Sequence, residues 1–233
     1  MLLDFILGGI KMKKTISIML IVIGIILILT PTIKKQIIKN NIKNKSEIIE
    51  NITHEEIVEN LEVEAEFDYE AIEDVGIAST IMGSINFDNK SIIGQLIIPD
   101  LNINLPILKG VTNANLLIGA TTMVPSQKMG EGNYPLAGHK MKQKDLLFGS
   151  LMDIEVGSTV YITDKKIVYE YKIYDAIVVP DTAMDMLDNR RADERGKPII
   201  SLMTCYYSSK TEKRFFALGE LVDEYPIEDL KVD

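Results

Sequence analysis

Cys205 is the only cysteine in the chain, and it ends the run "IISLMTC". A lone cysteine has no internal disulfide partner, so it serves either as apolar filler or as a reactive thiol. A thiolate is a strong nucleophile, and a neighbouring imidazole both stabilises it and relays protons to a leaving amine. The strand-rich part of the chain contains one histidine, His139 in "PLAGHK", preceded by small residues that would let a backbone or a substrate approach closely. After Cys205 comes "YYSSKTEK" and then Arg214. A hairpin of this length would return Arg214 beside Cys205, where a fixed cation can bind a substrate carbonyl or stabilise an oxyanion. Residue types alone leave the bland reading open, because buried cysteines and core histidines are common.

These three residues need a scaffold. From about Ser91 the chain breaks into short β-rich runs separated by Gly, Pro, Asn and Asp, such as "SIIGQLIIP", "STVYITD", "KIVYEYKIYDAIVVP" and "RFFALGELV". That texture predicts an all-β barrel or sandwich. In "IVYEYKIY", Ile167, Tyr169, Tyr171 and Ile173 alternate onto one face, as in a half-buried strand. Two helical interruptions are expected, "TNANLLIGA" with Thr112 as N-cap, and "KDLLFGSLMDI". His139 and Cys205 both end strand-like runs, which can place them on one rim.

Upstream, Thr15 to Ile33 carries no charge. At about 1.5 Å per helical residue it nearly crosses a hydrocarbon layer of roughly 30 Å. No small-x-small cleavage pattern follows it, so the reading is an uncleaved anchor rather than a signal peptide. Lys11, Lys13 and Lys14 precede the span while Lys34, Lys35, Lys39, Lys43 and Lys45 follow it, a balance that does not favour an outside C-terminus. Residues 46–80 contain acids but no Lys or Arg. An amphipathic start there, with Thr53 and Glu56 spaced for a capping box, predicts a partly helical, mobile stalk. His54 reads as a solvated helix-start residue. A net charge of -9 argues against nucleic acid as a partner.

Taken together, the motifs resemble those of the sortases. "SLMTC" is similar to their Thr-Leu-x-Thr-Cys signature with Ser201 in place of the first Thr, "LAGH" to the segment ending in their histidine, and Arg214 to the arginine opening the strand after the cysteine. The resemblance runs from about Gly94 to Val222. It implies an all-β fold with short helices, a closed eight-stranded sortase-type β-barrel behind an N-terminal transmembrane helix and a stalk. The implied domains are a cytoplasmic N-terminus (1–14), the anchor (15–33), the stalk (34–80) and the catalytic barrel (81–233).

The resemblance further implies a cysteine transpeptidase in which Cys205 attacks the Thr–Gly carbonyl of an LPxTG-type signal on a surface protein. The acyl group then passes to an amine of the cell-wall precursor. His139 would move the protons, Arg214 would hold the substrate backbone and oxyanion, and Ala137 and Thr204 would line the peptide groove, with Leu202 in the core. Localisation would be single-pass in the cell membrane with the catalytic domain outside.

The anchor and the lack of a hydrophobic tail fit class A of the family. "FDYE", Phe67 to Glu70, lacks the Asp-Pro pair of the pilin-polymerising class, so a lid there is given little weight. Some class A members bind calcium between the third and fourth strands. The matching loop here, "TTMVPSQKMGEG", has Glu131 as its only carboxylate, so no calcium requirement and no metal site is expected. Two alternatives stay open: a cysteine hydrolase that uses water as acceptor, and a wall-binding β-domain without chemistry.

Overall fold

The computed structural model describes residues 16–33, 36–37, 40, 49–72 and 88–231. The N-terminus 1–14 and most of 34–48 and 73–87, with the lysines that follow the span, lie outside the described residues. Two units divide the chain after Ile37. The first contains helix α1, Ile16–Ile33, with a mean hydropathy of 2.7, long and apolar enough to cross a membrane.

The second unit is built on eight strands: β1 (Ile92–Ile98), β2 (Ile103–Leu108), β3 (Ala120–Thr122), β4 (Asn133–Ala137), β5 (Thr159–Thr163), β6 (Ile167–Pro180), β7 (Ile199–Cys205) and β8 (Lys213–Pro226). They close into a barrel in the order β1-β2-β3-β4-β7-β8-β6-β5. β2–β3 and β4–β7 pair in parallel and the other neighbours antiparallel. Closure removes the exposed strand edges that an open sandwich would have to protect.

Strand alternation sorts side chains between two apolar clusters. On β7, Ile200 and Leu202 join the barrel core with Leu96, Leu136, Phe148, Ile162 and Tyr171. Met203 and Cys205 point to the opposite face, into a second cluster with Ala137, Met186, Leu187 and Phe216. Tyr171 and Ile173 are core residues and Tyr169 packs against them, as the alternation of β6 predicts.

Two expectations change. Helix α2 (His54–Leu61) has the capping box of Thr53 and Glu56, but it is not a free stalk. Ile57 is fully buried, and Asn60 Nδ2 donates to the Ile92 carbonyl at 2.7 Å, docking α2 on β1. His54 is accordingly half-buried, its Nδ1 3.0 Å from the Asp164 carbonyl and 3.4 Å from the Asp164 carboxylate. Helix α3 (Asn113–Leu116) is capped by Thr112 as expected. The segment "KDLLFGSLMDI" instead forms turns with a short 3-10 element at Leu151–Asp153. Its Leu146, Leu147, Phe148 and Leu151 are all buried, and Leu147 takes a positive φ of 47° that no α-helix tolerates.

Candidate active site

The β4–β7 register runs in parallel from Asn133↔Ile199 to Ala137↔Met203. Continued two residues past the end of β4, the same register sets His139 level with Cys205. Across the antiparallel β7–β8 pair, Cys205 stands opposite Arg214. The three residues therefore form one row across three adjacent strands. Cross-strand partners project to the same face, so Cys205 and Arg214 both point toward the second cluster.

Backbone and side-chain hydrogen bonds hold the row. Gly138 donates its N–H to the Met203 carbonyl at 3.0 Å, and Thr204 Oγ donates to the Gly138 carbonyl at 2.8 Å. The residue before the thiol thus grips the residue before the imidazole. Thr204 pairs with Phe215, a barrel-core residue, and is fully buried, so its side chain turns inward, away from the face that carries Cys205. Ala137 lies in the second cluster and is also fully buried, and Leu202 is in the barrel core. The small residue before His139 makes room for a ring rather than for substrate: a Cβ on Gly138 would sit 2.6 Å from Phe148 Cδ2.

Cys205 and His139 are both 2% exposed. Arg214 is 15% exposed at its side chain; its Nη2 lies 3.8 Å from Asp181 Oδ2 and its Nη1 donates to the Lys213 carbonyl at 3.3 Å. Asp181 also donates its backbone N–H to the Glu212 carbonyl at 3.0 Å, tying the end of β6 to the loop before β8. Beside the row is a cavity of about 60 Å3 lined by Met123, Met184, Leu187, Met203, Phe216 and Arg214. Its floor is β7 and β8 and one wall is the β6–β7 segment. A largely apolar slot that Arg214 lines, on the face of β7 that also carries Cys205, suits an extended peptide.

Residues 67–72 occupy part of that slot. Phe67 forms a parallel bridge with Val111, and Asp68 donates to the Val111 carbonyl at 3.0 Å. Tyr69 Oη donates to the Met123 carbonyl at 2.6 Å, while Ala71 and Ile72 are buried in the second cluster. The Ile72 carbonyl oxygen lies 3.8 Å from Cys205 Sγ, with the thiol as donor. Ala71 and Ile72, directly after the stretch Phe67 to Glu70 considered as a lid in the sequence, pack against the thiol. The apolar spacing of Phe67, Ala71 and Ile72 was the available signal, and the Asp-Pro criterion hid it.

Among the described residues no group of three or more His, Cys, Asp or Glu is gathered as metal ligands would be. Glu131 is exposed and lies 3.8 Å from Lys128. Next to the row, Lys140 Nζ donates to the Gly149 carbonyl at 2.5 Å, and burial lowers its pKa.

A family model described as "Sortase domain" matches residues 96–222. Sortase A of Listeria monocytogenes serovar 1/2a is 40% identical over 210 residues, covering 90% of this chain and 91% of that protein. Sortase A of Bacillus anthracis is 35% identical over 141 residues, 60% of this chain and 65% of that protein. Among solved structures, the Listeria monocytogenes sortase A matches with a TM-score of 0.55 at 39% identity, over 59% of this chain and 91% of that one. Sortase C-3 of Streptococcus pneumoniae shares the fold with a TM-score of 0.60 at 21% identity, over 81% of this chain and 94% of that one. With matching barrel, matching span and this degree of identity, the chain belongs to the sortase family and is a sortase transpeptidase.

Proposed function

We propose that this transpeptidase cleaves an LPxTG-type sorting signal between Thr and Gly, with Cys205 as nucleophile, and passes the acyl group to an amine of the peptidoglycan precursor. The observation that carries the reading is the single row of His139, Cys205 and Arg214, set by strand register on the face that bears the apolar slot. In this reading the Cys205 sulfur adds to the Thr carbonyl carbon. The oxygen takes up negative charge that the Arg214 guanidinium stabilises, and the C–N bond to Gly breaks as His139 protonates the departing amine. The resulting thioester is attacked by the incoming amine, which gives its proton to His139, and Cys205 is released as a thiolate. Ala137, on the same face as Met203, contributes to the groove floor. Thr204 acts through the Gly138 carbonyl rather than by touching substrate.

The proposed organisation is a cytoplasmic stretch at 1–14, α1 as the membrane anchor, and on the outer face a catalytic unit that includes α2 and residues 67–72 packed on the barrel. Surface proteins bearing the signal are the proposed substrates.

The test is to incubate the full chain in detergent with an LPxTG-type peptide, with and without amines, and to follow protein and products by mass spectrometry. The expected result is an acyl adduct on Cys205 that amines discharge into a ligated peptide, and that Cys205→Ala abolishes. Cleavage indifferent to amines would assign water as the acceptor and make the enzyme a hydrolase in practice. Absence of adduct and cleavage across several sorting motifs would reject the substrate.

A further inference from the structure

Two polar side chains on the catalytic face, Asn133 and Ser201, lie away from the row, toward the opposite end of the same two strands. Asn133 opens β4 and Ser201 lies within β7, four residues before Cys205, which is roughly 13 Å at the rise of an extended strand. By alternation Asn133, Ala137, Ser201, Met203 and Cys205 share one face. Asn133 is 3% exposed and Ser201 is fully buried. A buried amide in an otherwise apolar wall is costly unless every one of its groups is paired.

Here they are paired. Asn133 Nδ2 donates to the Met186 carbonyl at 3.0 Å and to the Asp188 carbonyl at 3.2 Å. Asn133 Oδ1 accepts the Ser201 hydroxyl at 2.8 Å, and the Asn133 N–H is bound by Asn189 Oδ1 at 2.8 Å. Three of these four bonds cross from the barrel to residues 186–189. That stretch belongs to the β6–β7 segment, whose Met184 and Leu187 line the slot beside Arg214. Up to Asn189 the segment contains only a short 3-10 element, Met184–Leu187, with no strand paired to it, and a short helix, Arg190–Arg195, follows. The segment's far end is tied at Asp181 to Glu212 and Arg214. Residues 186–189 are tied to the barrel by the side-chain amide of Asn133 and by its backbone N–H.

The Ser201 hydroxyl has a specific consequence at this site. The hydroxyl at 201 fixes which way the Asn133 amide points: with Oδ1 engaged by the Ser201 donor, Nδ2 is left to face the two loop carbonyls.

We propose that Asn133, oriented by Ser201, is a positioning residue for substrate recognition: it sets the β6–β7 wall of the slot, and so the affinity for the sorting peptide, without entering the acyl-transfer step. This rests on the peptide-cleavage reading for its kinetic readout but not for its structural one.

The experiment compares wild type, Asn133→Asp, Ser201→Ala, Ser201→Thr and the core control Ile162→Val in the full chain in detergent. Hydrogen exchange is read by mass spectrometry over 182–189, and kcat and KM are read on an LPxTG-type peptide. Asn133→Asp turns two donors into acceptors facing two carbonyls, so exchange over 182–189 should rise while exchange over β7 stays unchanged. KM should rise about tenfold, the equivalent of two ordinary hydrogen bonds, with kcat within about threefold of wild type. Ser201→Ala should move both readouts in the same direction by less, Ser201→Thr should restore them, and Ile162→Val should lower the melting temperature without shifting KM. Unchanged exchange over 182–189, or a fall in kcat at constant KM, overturns the proposal. If wild type cleaves no peptide, the substrate reading fails, and the exchange result, which needs no substrate, still upholds or overturns the anchor.

Discussion

Thr204 and Cys205 are neighbours whose side chains leave β7 on opposite faces, and the activity draws on both faces. The thiol faces the slot, while the hydroxyl reaches through the barrel side to the Gly138 carbonyl at 2.8 Å. Thr204→Val keeps the shape and removes the donor. Its expected cost is about 1–3 kcal/mol of stability, because a buried carbonyl loses its partner. It should also lower kcat more than it raises KM, which steady-state kinetics beside thermal melting would check. Gly138→Ala drives a methyl into the Phe148 ring, with the contact at 2.6 Å. Overpacking of this kind costs about 1–3 kcal/mol, and activity should fall further than stability because His139 is the next residue. Arg214→Lys keeps the charge but loses the planar fork, so kcat should drop by about 10²-fold, the cost of one oxyanion donor. The types and order of Cys205, His139 and Arg214 were legible in the sequence. The inward turn of Thr204 was not, because strand phase depends on which residues reach the barrel interior, and a strand buried on both faces such as β7 gives no apolar–polar alternation to read.

At the scale of elements, local signals carried and long-range ones did not. The caps of α2 and α3 follow from Thr53 and Thr112, whose partners lie three residues away. The run "KDLLFGSLMDI" has helical apolar spacing, yet tertiary contacts override it. Gly149 donates to the Leu146 carbonyl at 2.8 Å, and a Cβ on Gly149 would lie 2.1 Å from the Gln143 carbonyl oxygen. The same blindness hid the cover over the thiol, since residue 72 meets residue 205 only through the fold. That cover is held at its middle by Tyr69 Oη on the Met123 carbonyl. Tyr69→Phe removes about 1 kcal/mol of hydrogen bonding, so Cys205 should react with iodoacetamide about fivefold faster while the melting temperature barely moves. An unchanged alkylation rate would mean that the segment does not limit access.

For the whole molecule, the strand order could not be read from periodicity, because a barrel and a sandwich present the same alternation. It follows from pairings such as β4 with β7 and β6 with β8, between strands distant in sequence. The start of β7 is clamped to β8 by Glu220, which pairs with Arg195 Nε at 2.5 Å and Lys197 Nζ at 3.3 Å. The hydrogen bond from Arg195 lowers the Glu220 pKa below 4.5. A lowered carboxylate pKa stabilises the fold above pH 4.5, and that contribution disappears as pH falls through the folded value. The melting-temperature gap between wild type and Glu220→Gln should therefore be full at pH 7 and close as the solution is acidified from about pH 4.5 downward.

The parallel pairing of β4 with β7 also bears on how the chain reaches its active form. Thr204 and Gly138 are 66 positions apart, and no turn or hairpin brings them together. Closing so long a loop is slow, and a chain made from its N-terminus has already produced His139 while Cys205 is still to come. The reactive row therefore cannot assemble before nearly the whole barrel does. During refolding, burial of Cys205 against thiol reagents and recovery of activity should appear in one common late phase, so that a partly folded chain holds its nucleophile without the machinery to use it.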